Sequence, residues 1–240
     1  YSTFLQRAYD EIMQDVCLQN LHVVFAVDRA GIVGADGETH QGIYDISYFT
    51  HMPNMTVMMP KNGIELEKML RYAVYNIDGP VAVRYPRGNI SDIYSENTSE
   101  IEFGKAELLE DGEKIAVISA GAVCDNAAKV CEMLKNDGYN PMLINMRFAK
   151  PVDKEMLKLA AKKCGYIFTL EDNVIDGGAG MAVLEALNDM ELMNDVKVHS
   201  YAFPDKFIEH GTRDQLFERY KLDSESIYKD IKERIDINGR

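Results

Sequence analysis

Residues 22–42 read HVVFAVDRAGIVGADGETHQG. The run from Val23 to Val27 is apolar and of strand length. From Asp28 onward four glycines, three acids, Arg29 and His40 leave little to bury. A short apolar strand that gives way at its carboxyl end to a polar, glycine-rich loop is the arrangement of open α/β sheets, where ligands collect outside the strand ends. The residues alone fit two readings. One is a solvated surface turn. The other is a ligand loop, in which Gly31, Gly34, Gly37 and Gly42 permit close backbone approach and Arg29 presents a rigid fork for a carboxylate or phosphate. In the second reading Asp36 and His40, four residues apart, reach the same ligand.

Working outward, the pattern is one of alternating strands and helices. Phe4, Leu5, Ala8, Ile12 and Val16 recur at helical spacing, with Ser2 or Thr3 as the cap. After the loop come a short turn over 43–49, a strand at 55–59, a helix over 63–77 with Ile64, Leu66, Met69, Leu70 and Val74 inward, and a strand at 80–85. Residues 88–112 are polar, acidic and weakly periodic, and read as a linker with some extended structure. The alternation restarts with strands at 115–121, 142–145, 166–170 and 196–201. Helices are expected over 122–136, 153–163, 179–189, 212–220 and 224–235. Strand–helix alternation implies crossover connections and parallel sheets. The expected fold is therefore α/β with two doubly wound units, residues 1–90 and 113–240, joined by a linker at 91–112.

Composition narrows the function. The chain has 240 residues, 46% hydrophobic and 27% charged, the profile of a globular protein. A net charge of −13 disfavours sequence-independent nucleic-acid binding, so an anionic ligand needs a local arginine cluster. No stretch approaches the ~20 apolar residues of a membrane span, which predicts a cytoplasmic chain without membrane contact. The four cysteines lack metal-ligand spacing and read as buried, reduced thiols, with Cys124 and Cys131 on one helix face. The chain opens at Tyr1 within a helical approach, which predicts a preceding part of the protein.

A second arginine follows a strand in RYPRG (84–88). Arg87 beside a glycine is placed to point toward the first loop and form a phosphate clamp with Arg29, or to pair at a domain boundary. Arg84, inside the strand pattern, reads as a structural ion pair. GGAG (177–180) is a partial phosphate fingerprint without the remaining spacing, and tight packing at a helix start explains it better. His22, His51, His199 and His210 have no spacing partners and are assigned no role.

Taken together, YSTFLQRAYD, DRAGIVGADGETHQG, YPRG, MRFAKPVD (146–153) and LEDNVIDGGAG (170–180) resemble, in the same order, the later part of the 1-deoxy-D-xylulose-5-phosphate synthase family. These are transketolase-like enzymes that use thiamine diphosphate. The resemblance implies a partial pyrimidine-binding domain followed by a transketolase C-terminal domain. It implies decarboxylative condensation of pyruvate with glyceraldehyde 3-phosphate, the cofactor serving as electron sink. By the same resemblance Phe4 stacks on the aminopyrimidine ring and Arg7 supports that pocket. Tyr1, Asp36 and His40 face the substrates, and Arg29 with Arg87 binds the acceptor phosphate. His40 is either a proton carrier or a positioning group.

The family's activating glutamate and its Mg2+ and diphosphate ligands are implied to lie upstream, Glu11 being no substitute. The chain alone is then expected to be inactive, and the full-length protein a homodimer. Glu209 and His210 stand where many relatives carry Pro and Gln, in a segment read as structural. A 2-oxo acid dehydrogenase β subunit or a transketolase shares the strand order without the DRAGIVGADG block, and a non-catalytic or regulatory subunit is the alternative of a different class.

Overall fold

The computed structural model describes residues 1–89, 91–96 and 99–238. Residues 90, 97 and 98, in and beside the expected linker, and residues 239 and 240 of the C-terminal unit lie outside the described residues. The N-terminal segment is helical but not one helix. It runs through α1 (Ser2–Leu5), a 3-10 turn, α2 (Tyr9–Glu11) and a π-helical stretch at Ile12–Cys17. The expected caps are absent because both hydroxyls are used elsewhere. Ser2 Oγ donates to Asp45 Oδ2 at 3.1 Å and Thr3 Oγ1 to the Gln41 carbonyl at 2.6 Å.

Next come β1 (Val24–Val27), α3 (Asp45–Thr50) where a turn was expected, β2 (Thr56–Met58), α4 (Gly63–Asn76) and β3 (Val81–Arg84). β1 and β2 flank β3 in parallel. Asn62 caps α4 by accepting from Glu65 N at 2.8 Å. The buried face of α4 is Glu65, Met69 and Ala73, whereas Ile64 and Val74, expected inside, are 45% and 46% exposed. The face is rotated because Glu65 turns inward to a buried ionic cluster. Lys61, wholly buried, lies 3.2 Å from Glu65 and 2.6 Å from Glu107, and Arg147 lies 2.7 Å from Glu65 and 2.9 Å from Glu107. Two cations and two anions close the group with no net charge.

The rest of the chain contains β4 (Glu107–Glu110), β5 (Lys114–Ser119), α5 (Cys124–Asn136), β6 (Met142–Asn145), β7 (Phe148–Lys150), α6 (Lys154–Lys163) and β8 (Cys164–Val174). It ends with α7 (Ala179–Asp189), β9 (Lys197–Phe203), α8 (Arg213–Arg219) and α9 (Ser224–Asn238). The sheet orders are β1-β3-β2-β7 and β4-β6-β5-β8-β9. The sheets are mixed, not purely parallel. β4, the extended piece of the expected linker, pairs antiparallel with β6, and β7 crosses back to pair antiparallel with β2. β7 has only three residues, too few for periodicity to show. One core cluster runs through both sheets, from Val27, Val57 and Ala82 to Ala116, Ile118 and Ile144, with Phe49, Met59 and Val183 between them. All four cysteines are buried and unpaired.

Candidate active site

The β1–β3 ladder continues past both strands: Tyr85 N donates to Val27 O, and Ala30 N to Tyr85 O, each at 3.0 Å. The segments bearing Arg29 and Arg87 therefore leave the sheet side by side. The loop beyond is closed at its neck, where Gly31 and Gly42 exchange two backbone hydrogen bonds of 2.7 Å. Gly31 has φ +75°, and a Cβ there would lie 2.1 Å from Asp172 Oδ2, so no larger residue fits without displacing that carboxylate. Gln41, buried, spans the loop. Its Oε1 accepts from Val33 N at 2.9 Å and its Nε2 donates to the Glu209 carbonyl at 3.1 Å.

The loop carries His40 to an aromatic group. The His40 ring lies edge-on to Tyr1 and Phe4, with centroids at 5.9 and 5.2 Å, and Tyr1 and Phe4 are 4.5 Å apart. Thr39 Oγ1 hydrogen-bonds His40 Nδ1 at 2.8 Å. The Arg29 guanidinium covers the Tyr1 ring at 4.6 Å and pairs with Asp28 at 2.6 Å. Asp36 faces Arg87 at 3.5 Å. Burial raises the Tyr1 phenol above its ordinary range. The Asp36 charge adds to the rise, while Arg29 and Arg87 oppose it, so each of the three acts on Tyr1. Tyr1 Oη and Arg29 Nε are both buried without a partner among the described residues. Phe4 remains 43% exposed, in an open depression formed with Tyr1, Leu5, Arg7, Ala8 and Glu11. An exposed aromatic face beside unpaired donors fits a flat heteroaromatic ring and an anionic substrate.

Beneath the loop lies a buried scaffold that centres on Arg84. Its Nε donates to Asp45 Oδ1 at 2.9 Å and its Nη1 to Asp172 Oδ1 at 2.7 Å, while Nη2 has no partner among the described residues. Asp45 holds Ser2, two residues before Phe4, and Asp172 lies against Gly31. One guanidinium thus ties the aromatic segment to the loop neck, the structural ion pair expected of an arginine inside an apolar strand. Asp45, Asp172 and Gln41 left no comparable trace in the sequence, because their partners are 39, 88 and 168 residues away. GGAG is likewise structural. The buried Glu171 carboxyl accepts from Ala179 N at 2.7 Å and Gly180 N at 2.9 Å and so occupies the start of α7. Burial pushes that carboxyl up to about 7, although the two N–H donors act the other way.

The structure gathers Tyr1, Phe4, Arg29 and His40 into one cluster and sets Asp36 on Arg87 beside it. Arg7 lines the open depression with Phe4. Among the described residues no group of three or more His, Cys, Asp or Glu is placed to hold a metal ion, and no helix is long and apolar enough to cross a membrane.

Two α/β sheets sharing one core, with an aromatic and arginine site at the end of the first, define the class, and the chain belongs to the transketolase family. Residues 1–92 match the transketolase pyrimidine binding domain and residues 104–227 the transketolase C-terminal domain. The chain is similar to the 1-deoxy-D-xylulose-5-phosphate synthase of Caldanaerobacter subterraneus subsp. tengcongensis, 49% identical over 98% of this chain and 37% of that protein. It is also similar to that of Clostridium tetani, 50% identical over 96% of this chain and 37% of that protein. The chain thus spans little more than a third of the length of these curated relatives. A solved split-gene transketolase, described as an inactive β4 tetramer, superposes with a TM-score of 0.88 at 26% identity, covering 97% of this chain and 74% of that one.

Proposed function

We propose that this chain forms the pyrimidine-side and acceptor-side walls of a thiamine diphosphate-dependent 1-deoxy-D-xylulose-5-phosphate synthase. Such an enzyme condenses pyruvate with glyceraldehyde 3-phosphate, with loss of CO2, for isoprenoid and thiamine synthesis. The observation that carries the reading is the convergence of Tyr1, Phe4 and His40 beside Arg29, with the Tyr1 hydroxyl and Arg29 Nε buried and unpartnered. Phe4 offers its open face to the aminopyrimidine ring, with Arg7 beside it in the same depression. The cofactor, once bound, supplies the electron sink for decarboxylation. Arg29 and Arg87 hold the acceptor phosphate, Tyr1 and Asp36 line the substrate side, and His40 stands where it can orient the aldehyde or pass it a proton.

Mg2+ and the cofactor diphosphate are assigned to polypeptide outside these 240 residues. The chain by itself is accordingly inactive, in line with the inactive tetramer of the split-gene transketolase. The complete enzyme is a cytoplasmic homodimer. The test is to combine the chain, in trans or fused, with the remaining part of a relative and to follow pyruvate-dependent formation of deoxyxylulose phosphate. Failure of every such combination to form product sinks the reading. In an active combination Arg29→Ala raises the KM for glyceraldehyde 3-phosphate by roughly tenfold to a hundredfold, the loss of one charge-assisted pair.

A further inference from the structure

The segment between β9 and α8 is fastened to the 28–42 loop. Gly211 N donates to Gly34 O at 3.4 Å, and Gln41 Nε2 to Glu209 O at 3.1 Å. This attachment carries Arg213, the first residue of α8, to a cavity of about 200 Å³ whose wall also includes Lys61, Tyr85, Arg87, Asn89 and Asp125. The charges of that wall are not equivalent. Lys61 is taken up by Glu65 and Glu107, and Asp125 accepts from Ser91 Oγ at 2.6 Å. Arg87 meets Asp36 only at 3.5 Å, with both side chains well exposed. Arg213 forms no ion pair and no side-chain hydrogen bond among the described residues. Its guanidinium lies over the Phe217 ring, 4.3 Å from the centroid. The aromatic face fixes its position while its N–H edges stay free.

Two guanidiniums, one from the segment after β3 and one from the start of α8, therefore border one cavity in a chain of net charge −13. An anion in that cavity has both guanidiniums on its wall, and two forks match the several terminal oxygens of a phosphate monoester. We infer that Arg213 is a third cation of the acceptor site. With Arg87 it grips the phosphate of the aldehyde substrate and sets the preference for a phosphorylated acceptor. This assignment rests on the function proposed above. Nothing local in the sequence marks Arg213, which is more than a hundred positions from Arg87 and reaches the same cavity through the docking of 209–211 on the loop.

The test has a binding arm and a kinetic arm. Inorganic phosphate is titrated into the chain and into Arg213→Met, Arg213→Lys and Arg87→Met, with arginine Nε–Hε resonances as the readout. The wild type is expected to bind, Arg213→Met to bind about tenfold more weakly, and Arg213→Lys to recover part of the loss, with unchanged unfolding midpoints. No binding by the wild type, or equal binding by Arg213→Met, overturns the assignment. In the completed enzyme Arg213→Met loses about tenfold more kcat/KM with glyceraldehyde 3-phosphate than with unphosphorylated glyceraldehyde, and an equal loss with both overturns the specificity role. If phosphate binding requires Arg213 but no completed enzyme forms deoxyxylulose phosphate, the anion site stands and the condensation reading falls.

Discussion

Replacing Gly31 by alanine tests whether the loop is held by its neck. The new Cβ would lie 2.1 Å from Asp172 Oδ2 and 2.6 Å from its Cγ, at a residue with φ +75°. The left-handed backbone costs a non-glycine residue about 1–2 kcal/mol. Asp172 has no room to yield, because it is buried and Arg84 holds its other oxygen at 2.7 Å. Displacing it loosens a charge-assisted hydrogen bond worth roughly 1.5–3 kcal/mol, so Gly31→Ala is expected to destabilise the chain by about 3–5 kcal/mol. Gly138, in the turn that ends α5, is the internal control. It has φ +86°, and its Cβ would meet nothing within 4 Å, so Gly138→Ala carries the backbone cost alone. Urea unfolding of both variants, compared at equal m-values, isolates the contact. If the two agree within about 0.5 kcal/mol, the neck does not press on Asp172 and the coupling of loop to scaffold is wrong.

Three further outcomes follow from other parts of the molecule. Lys61→Met leaves two buried carboxylates facing one arginine and is expected to cost about 3–5 kcal/mol in denaturant unfolding; a loss under about 1 kcal/mol refutes the closed ionic group. Burial alone would raise the Glu107 carboxyl, but hydrogen bonds from Lys61 and Ser99 and the Arg147 charge outweigh it and lower it from the ordinary 4.5 to about 2. Its contribution, about 3 kcal/mol at most, is therefore complete above pH 4.5 and is lost as pH falls through about 2. Glu107→Gln should flatten that part of the stability–pH curve, and an unchanged slope would contradict the assignment. Phe4→Ala, at an exposed ring, is expected to leave the unfolding midpoint of the chain in place while weakening thiamine diphosphate binding in the completed enzyme roughly tenfold. Unaltered cofactor affinity removes Phe4 from the pocket.

Much of this architecture was legible because its causes are local. Alternating apolar runs and amphipathic stretches marked most strands and helices within a residue or two, since a strand buried on both faces and a helix buried on one differ in period. Legibility ended where elements were very short or where partners were remote. β7 has three residues and no period of its own. The N-terminal helix broke because Ser2 and Thr3 served Asp45 and Gln41 in place of the cap, and α4 turned because Glu65 sought Lys61 and Arg147.

The sequence by itself determined the α/β class, the polar loop at a strand end and the arginine, histidine and aspartate types that the loop carries, because these depend on composition and spacing within a few tens of residues. Only the tertiary structure decided which of those residues meet. It put His40 with Tyr1 and Phe4, set Arg87 on Asp36, hung the loop from Arg84 and Asp172, and brought Arg213 to the cavity of Arg87. The reason is physical. A charge–charge contact or a ring packed on a ring acts over a few ångströms, while the groups that make it, as with Arg84 and Asp172, stand 88 residues of chain apart.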